Sequence, residues 1–405
     1  MLSDRLLQSA LASTPIGSDG AVEFARRWVL PHLRARQATR RLTGTSREGG
    51  TARVLVVGAT SKLDHDSLGP GFFGEPPMVE DLAPIAGYGL LRRLEAELDR
   101  HDLVLARVWV AFAGGPNRTF VTMPEQPDMR VPAGSREAMF ARATATMRRE
   151  IRIAERHGFT LAQTTDDASF ERFYHDYHVP FVQARHGDGA VIHGAATLRR
   201  RLRRGALTWV ALAGERLYAS AFEVMGDTLR EHVAGSVHGR VDYLVRSAAY
   251  FARVDHIRRA HAAGLRWMNM GGVAPWLSDG SAIHKRSWGG ELVDRYTSHR
   301  VLLVGWRRWT PAIARFLATY PILARRSWGF GAIVAADNDT PAARAAAHKI
   351  WHRLSPRGLR RLAVVGAGGA VGSLWSLDGG LTEWAFPRPI SSADIVRTLD
   401  QTGSA

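Results

Sequence analysis

The sequence predicts an α/β protein built on mixed, largely antiparallel central sheets with flanking helices. Three observations carry that prediction. Residues 207–213 (LTWVALA), 216–225 (RLYASAFEVM) and 228–234 (TLREHVA) are strand-like runs separated only by Gly214–Glu215 and Gly226–Asp227. Such short turns join antiparallel neighbours into a meander. Asp242 then opens a long helix whose Leu244, Ala248, Phe251, Val254 and Ile257 form one apolar stripe, with Gly264 as its stop. A strand over 265–270 follows and runs into Gly271–Gly272.

The same alternation recurs on both sides, which divides the chain into four parts. These are an N-terminal helical arm over 1–50, a first α/β domain over 51–145, a second over 146–309, and a C-terminal α/β extension over 310–405. A chain of 405 residues suits two or three domains. Its 45% hydrophobic content and 12 Trp supply large cores. There is no cysteine, which excludes disulfides, thiolate metal sites and a cysteine nucleophile. The N-terminus lacks the order of basic start, apolar run and cleavage site that a signal peptide needs, and no run approaches a membrane span. A cytoplasmic protein without integral membrane association is expected.

The charge is +16, from 54 Lys+Arg against 38 Asp+Glu, and nearly all the cations are Arg. Arg pairs with phosphate bidentately and stacks on bases, so an Arg-rich surface suits a polyanion. A high-GC genome, which encodes Ala/Arg/Gly-rich chains, is the other source of such a composition. Arg148, Arg149 and Arg152 fall near one face of a long helix predicted over 135–158, capped by Ser135 and ended by Gly158. Arg199, Arg200 and Arg203 belong to a run holding five Arg in six positions. Both sets read either as solvated faces or as nucleic-acid-facing ridges.

In chain order, residues 21–42 read as two short helices broken at Pro31. Strands are predicted over 52–60, 103–112 and 118–123, with a helix from about Leu90. A short strand over 159–163 leads to an aromatic helix ending near Pro180 and a loop with Arg185. A helix or turn over 281–292 and a strand over 294–303 close the second domain. The extension holds a helix over 311–320 and a β-α-β piece over 331–367. Its VVGAGGAVG has Val371 in place of a third glycine and no helix pattern after it, so it reads as a tight turn rather than a dinucleotide site.

Three antiparallel strands, helix, strand, helix, strand is the order of the second part of a GNAT-type acyltransferase domain. Three stretches resemble the Fem-type peptidyltransferases and their FemAB/CelD-like relatives. They are MRREIRIAERHGFTL with the following FERFYHDYHVPFVQARHG, the helix and strand DYLVRSAAYFARVDHIRRAHAAGLRWMNMGG, and HKRSWG, which is similar to the family's Lys-x-x-(aromatic)-Gly signature. Together they span roughly residues 140–304. The resemblance implies tandem GNAT-like domains and acyl transfer, with aminoacyl-tRNA as the donor of the Fem-type members. It implies that Lys285 is the lysine near the reacting acyl group and Arg185 an arginine of the substrate loop. The last hundred or so residues have no counterpart in it, and the helical coiled-coil insertion of some members is absent.

Amide formation from an activated ester needs orientation, a donor to the oxyanion and a route for the amine proton. Lys285, Arg185 and Asn269 are the catalytic candidates. Tyr174, Tyr177, Glu223, Trp267 and Tyr296 are the substrate-binding candidates. Glu223, Glu231, Asp279 and Tyr296 are the possible proton acceptors, with no choice among them. His175 and His178 lack a third ligand, so no metal is expected. Nor is a bound cofactor expected; the co-substrate is aminoacyl-tRNA or acyl-CoA. The loop after the third meander strand, GSVHGRVDYL, lacks the glycine pattern that holds the coenzyme A pyrophosphate. The partners foreseen are tRNA and a small-molecule or peptide amine. An acyl-CoA-dependent transferase and a non-catalytic RNA-binding protein remain as alternatives.

Overall fold

The computed structural model describes residues 36–58, 69–87, 89–109, 119–187, 190, 192–295, 300–376, 380–385 and 390–401. The arm over 1–35 and Tyr296 lie outside the described residues. The first sheet contains β1 (Arg36–Thr45), β2 (Thr51–Val57), β3 (Met78–Ala86), β4 (Leu103–Trp109) and β5 (Val121–Pro124). The helical expectation for 36–42 is overturned: β1 pairs antiparallel with both β2 and β3, and its alternating burial follows a strand period. A sixth strand comes from far along the chain. The order is β3-β1-β2-β4-β13-β5, where β13 is Arg300–Gly305. Its VLLV run is apolar on both faces because both are covered. Val301 and Leu303 pack with Leu90, Leu94 and Leu98 of α1 (Leu90–Glu97) and its C-cap. Leu302 and Val304 join the core shared with the C-terminal extension.

The second sheet has the order β12-β6-β11-β10-β9-β8-β7. Its strands are β6 (Asp128–Pro132), β7 (Thr160–Thr164), β8 (Gly205–Leu212), β9 (Glu215–Met225), β10 (Thr228–Ser236), β11 (Trp267–Gly272) and β12 (Glu291–Val293). The meander is β8-β9-β10, joined as expected. The two sheets therefore exchange strands: β6 leaves the first half of the chain for the second sheet, while β13 enters the first. The linear boundary at 145/146 does not separate these two sheets.

Helices cover the second sheet. The expected single helix over 135–158 is two, α2 (Arg136–Arg142) and α3 (Ala145–Arg156), because Ala143 is extended and Thr144 caps the second. The break is held in place: Thr144 N donates to Ser287 O, and Arg148 Nη1 takes the carbonyls of Phe140 and Ala143. On the opposite face, α4 (Asp167–Arg172), a π-helical turn over Phe173–His178 and α5 (Val179–His186) form one continuous arm, followed by α6 (Ala195–Leu202). Pro180 does not end the helix. It sits in the first turn of α5, directly after the π-helical turn. The long helix α7 (Tyr243–Ala262) is capped by Asp242, and α8 (Gly280–Ser287) by Asp279.

The extension is a third sheet, β14 (Ile322–Arg326), β15 (Gly329–Ala335), β16 (Leu359–Val365), β17 (Val371–Ser376) and β18 (Gly380–Ala385) in sequence order, with α9 (Pro311–Thr319), α10 (Pro341–Leu354) and α11 (Ser392–Gln401). Strands β15 and β16 are parallel around α10, as the β-α-β reading required. The glycine-rich run is the β16–β17 turn, closed by Gly366 N to Val371 O at 2.9 Å. No described helix is long and apolar enough to cross a membrane.

Candidate functional site

Strands β10 and β11 are parallel and pair only over Thr228–Trp267, Leu229–Met268 and Arg230–Asn269. The ladder stops there, although β10 runs on to Ser236 and β11 to Gly272. A bulge at His232 shifts the β10 register just beyond the last pair. Two strands that part leave backbone groups free at the opening, and the chain answers with Lys285.

Lys285 lies on α8 and is 8% exposed. Its Nζ donates to Gly272 O at 2.7 Å and to Gly271 O at 3.0 Å. Gly271 has φ +81°, a left-handed conformation that presents its carbonyl there at no steric cost. Burial, then the charge of Arg253, lowers the Lys285 pKa to about 8. Glu231, Asp128 and Asp279 act the other way.

Beneath Lys285 is a buried charge network on the α7 side of the sheet. Arg253 of α7 pairs with Glu231 of β10 at 3.0 Å. Burial would raise Glu231, but Arg253 holds it below the usual carboxylate range. Arg253 also donates to His284 Nε2 at 3.1 Å, and Trp288 Nε1 donates to the same nitrogen at 3.4 Å. Two donors on Nε2 fix the neutral tautomer with its proton on Nδ1. Burial and the cations beside it push His284 down to about 3, so it stays neutral. Tyr250 stacks on its ring.

The opposite face of the sheet carries a polar row set by strand register: Glu223, Arg230, Asn269, Arg130 and Glu291 are successive cross-strand partners on β9, β10, β11, β6 and β12. Asn269 donates to Asp128 at 3.0 Å and accepts from Gly271 N at 2.7 Å, so it ties the end of β11 to β6. Asp128 is 1% exposed, pairs with Arg230 at 3.3 Å and Arg295 at 3.5 Å, and is in register with Gly272. Its Oδ1 has no hydrogen bond among the described residues. Sequence reading missed Asp128, Arg253 and His284. The buried alternation Met129–Val131 around Asp128 was the available signal for β6.

The other candidates separate. Glu223 forms a short pair with His232, Glu231 is held by Arg253, and Asp279 caps α8 through Ala282 N at 2.9 Å. Of the possible acceptors this leaves Tyr296 undescribed and adds Asp128. Trp267 lies under Arg130, whose guanidinium is 3.7 Å from the ring centre. Arg185 is on α5 rather than in a loop, and its charge reaches Tyr218 and His284, on the Lys285 side. Tyr177 is a core residue: it is 2% exposed, edge-on to Trp209, and donates to Arg216 O at 3.0 Å. Tyr174 donates to His193 O at 3.0 Å. His175 meets Glu171, and His178 meets Ala234 O. Arg148 is bound to carbonyls and Arg199 to Asp167 and Glu171, whereas Arg149, Arg152, Arg200 and Arg203 are exposed.

The place where a phosphate loop would lie is filled by the chain. A Cβ on Gly235 would meet the Tyr177 carbonyl carbon at 2.5 Å, and one on Gly239 the Pro180 carbonyl oxygen at 2.8 Å. These glycines admit the α5 arm. The start of α7 is taken by Asp242, which accepts from Val245 N at 3.0 Å and pairs with Arg240.

No protein-family model and no curated protein matches the chain. Among solved structures it is similar to FemX, with a TM-score of 0.36 and 12% identity over 66% of this chain and 88% of that one. It is similar to L-PGS from Bacillus licheniformis, with a TM-score of 0.32 and 10% identity over 66% and 84%. It is also similar to a GCN5-related N-acetyltransferase from Sphaerobacter thermophilus, with a TM-score of 0.31 and 12% identity over 74% and 89%. Overlaps this loose carry no residue correspondence.

Proposed function

We propose that the chain is an amide-forming N-acyltransferase that moves an aminoacyl group from aminoacyl-tRNA to an amine acceptor. The observation that carries this is the parted β10–β11 ladder, with the buried Lys285 cation at its end and the Asp128 carboxylate in register beside it. The acceptor nitrogen attacks the ester carbonyl. Lys285 stabilises the oxyanion that forms, and Asp128 takes the ammonium proton as the C–N bond closes. The C–O ester bond then breaks, and the tRNA oxygen leaves with the proton that Asp128 returns.

The choice of donor is supported by two features. The Gly235–Gly239 loop is packed against Tyr177 and Pro180, and Asp242 already accepts from Val245 N at the start of α7, which weighs against a coenzyme A pyrophosphate there. The exposed Arg149, Arg152, Arg200 and Arg203, in a chain of charge +16, suit the tRNA backbone. Ribonuclease treatment tests the reading: transfer is abolished with aminoacyl-tRNA as donor. Transfer that persists after ribonuclease and consumes acyl-CoA points instead to a thioester donor.

A further inference from the structure

The polar face beside Asp128 has an imbalance of charge. Arg230, Arg295 and Arg201 converge there, and one carboxylate, Asp128, pairs with the first two. Arg201 of α6 has no ion pair among the described residues, yet it is near enough to His193, His232 and Arg295 to act on all three. The other carboxylates nearby are committed elsewhere: Glu223 to His232, Glu125 to Arg107 and Glu291 to Arg130. Arg230 is 7% exposed, and its Nε makes no hydrogen bond among the described residues. Arg295 is the open member, with a side chain 26% exposed. It spends Nε on Asp128 and Nη1 on Gln126, which leaves Nη2 without a described partner. Like charges held together at a half-buried edge are destabilising unless an anion joins them.

We propose that Arg201 and Arg295 bind an oxyanion of the acceptor, a phosphate or a carboxylate a few bonds from its amine, so that the acceptor is a zwitterion. Its ammonium faces Asp128 and its anion bridges the two guanidiniums. This orientation points the amine toward the end of β11, where Lys285 waits, and makes the anion the handle that sets its position. The inference rests on the acyl-transfer reading for the identity of the ligand but not for the existence of the site.

Binding without any donor tests it. The probes are 2-aminoethyl phosphate, β-alanine, inorganic phosphate and ethanolamine, titrated calorimetrically into the full chain. The variants are the double substitution Arg201→Gln with Arg295→Gln, and Arg200→Gln as an exposed neighbour on the same helix. Thermal unfolding confirms that each is folded. One of the two zwitterions binds the wild type at least about tenfold more tightly than phosphate or ethanolamine, and which one does so names the oxyanion. The double variant weakens it about 100-fold, as expected for two charge-assisted bonds, and Arg200→Gln stays within about twofold. No binding to the wild type, or equal binding to the double variant, overturns the inference. Arginine-dependent binding with no transfer from any donor keeps the site and sinks the acyl-transfer reading. Transfer whose acceptor KM ignores both arginines does the reverse.

Discussion

Asp128 stands in register with Gly272 across β6 and β11, and the Gly272 carbonyl accepts the Lys285 ammonium at 2.7 Å. The exchange of strands between the two sheets brings this pair together. A carboxylate from the first half of the chain thereby reaches a lysine that follows the meander and long helix of the second.

Lys285→Met should lower transfer about 10²–10³-fold, the usual loss when an oxyanion donor is removed. The melting temperature should hold or rise, because the fold now bears the cost of burying this cation. The pH profile gives a second readout. Lys285 is charged below about 8 and neutral above it. The descending limb of kcat should therefore lie near pH 8 and vanish in Lys285→Arg, whose cation does not titrate there. A limb that stays in place assigns it to another group.

Asp128→Asn keeps the shape of the side chain and removes its charge. We expect kcat to fall about 10²-fold, and to fall less with an acceptor amine acidic enough to be neutral below pH 8, where Lys285 is still charged. A loss of stability with unchanged kcat would restrict Asp128 to bridging Arg230 and Arg295.

Glu231 and Arg253 form a buried pair, so truncating either strands the other charge. Glu231→Ala or Arg253→Ala should cost about 3–5 kcal/mol by denaturant unfolding. Replacing both, Glu231→Leu with Arg253→Met, should return most of that. Equal destabilisation in the double variant would contradict the pairing.

The C-terminal extension grips the segments on both sides of α8. Leu277 N donates to Pro321 O, Leu323 N to Pro275 O, Arg286 Nε to Ser355 O and Leu292 N to Arg357 O. Gly358, at φ +86°, lets the two chains meet: a Cβ there would lie 3.0 Å from Leu292 O. Gly358→Ala should therefore lower kcat as well as the melting temperature, although it touches no substrate. A lower melting temperature with unchanged kcat would mean that the extension supports the fold without shaping the site.

The local signals in the sequence were strong where turn chemistry and burial agreed. Gly214–Glu215 and Gly226–Asp227 announced the meander, Asp242 the start of α7, and Lys285 its own prominence in an Arg-rich chain. What was hidden is long-range. Nothing local to QPDMRVP says that its strand pairs with β11 and β12, more than a hundred positions later, so Asp128 stayed invisible. Arg253 is one of four arginines in α7, and only the register of β10 supplies its partner Glu231. Gly235 and Gly239 lack the spacing of a coenzyme A loop, and the structure shows them admitting the backbone of Tyr177 and Pro180. The break at Ala143 follows from Thr144 N reaching Ser287 O, a contact that no helix propensity encodes.

Lys285-dependent acyl transfer is tested most directly by a mass measurement on the wild type and Lys285→Met, each incubated with pools of charged tRNA and of acyl-CoA and with amine acceptors. The wild type should consume one aminoacyl-tRNA and yield an acceptor heavier by that aminoacyl residue, while Lys285→Met does neither at a comparable rate. Consumption of acyl-CoA with charged tRNA untouched, or transfer that proceeds equally well without Lys285, would contradict it.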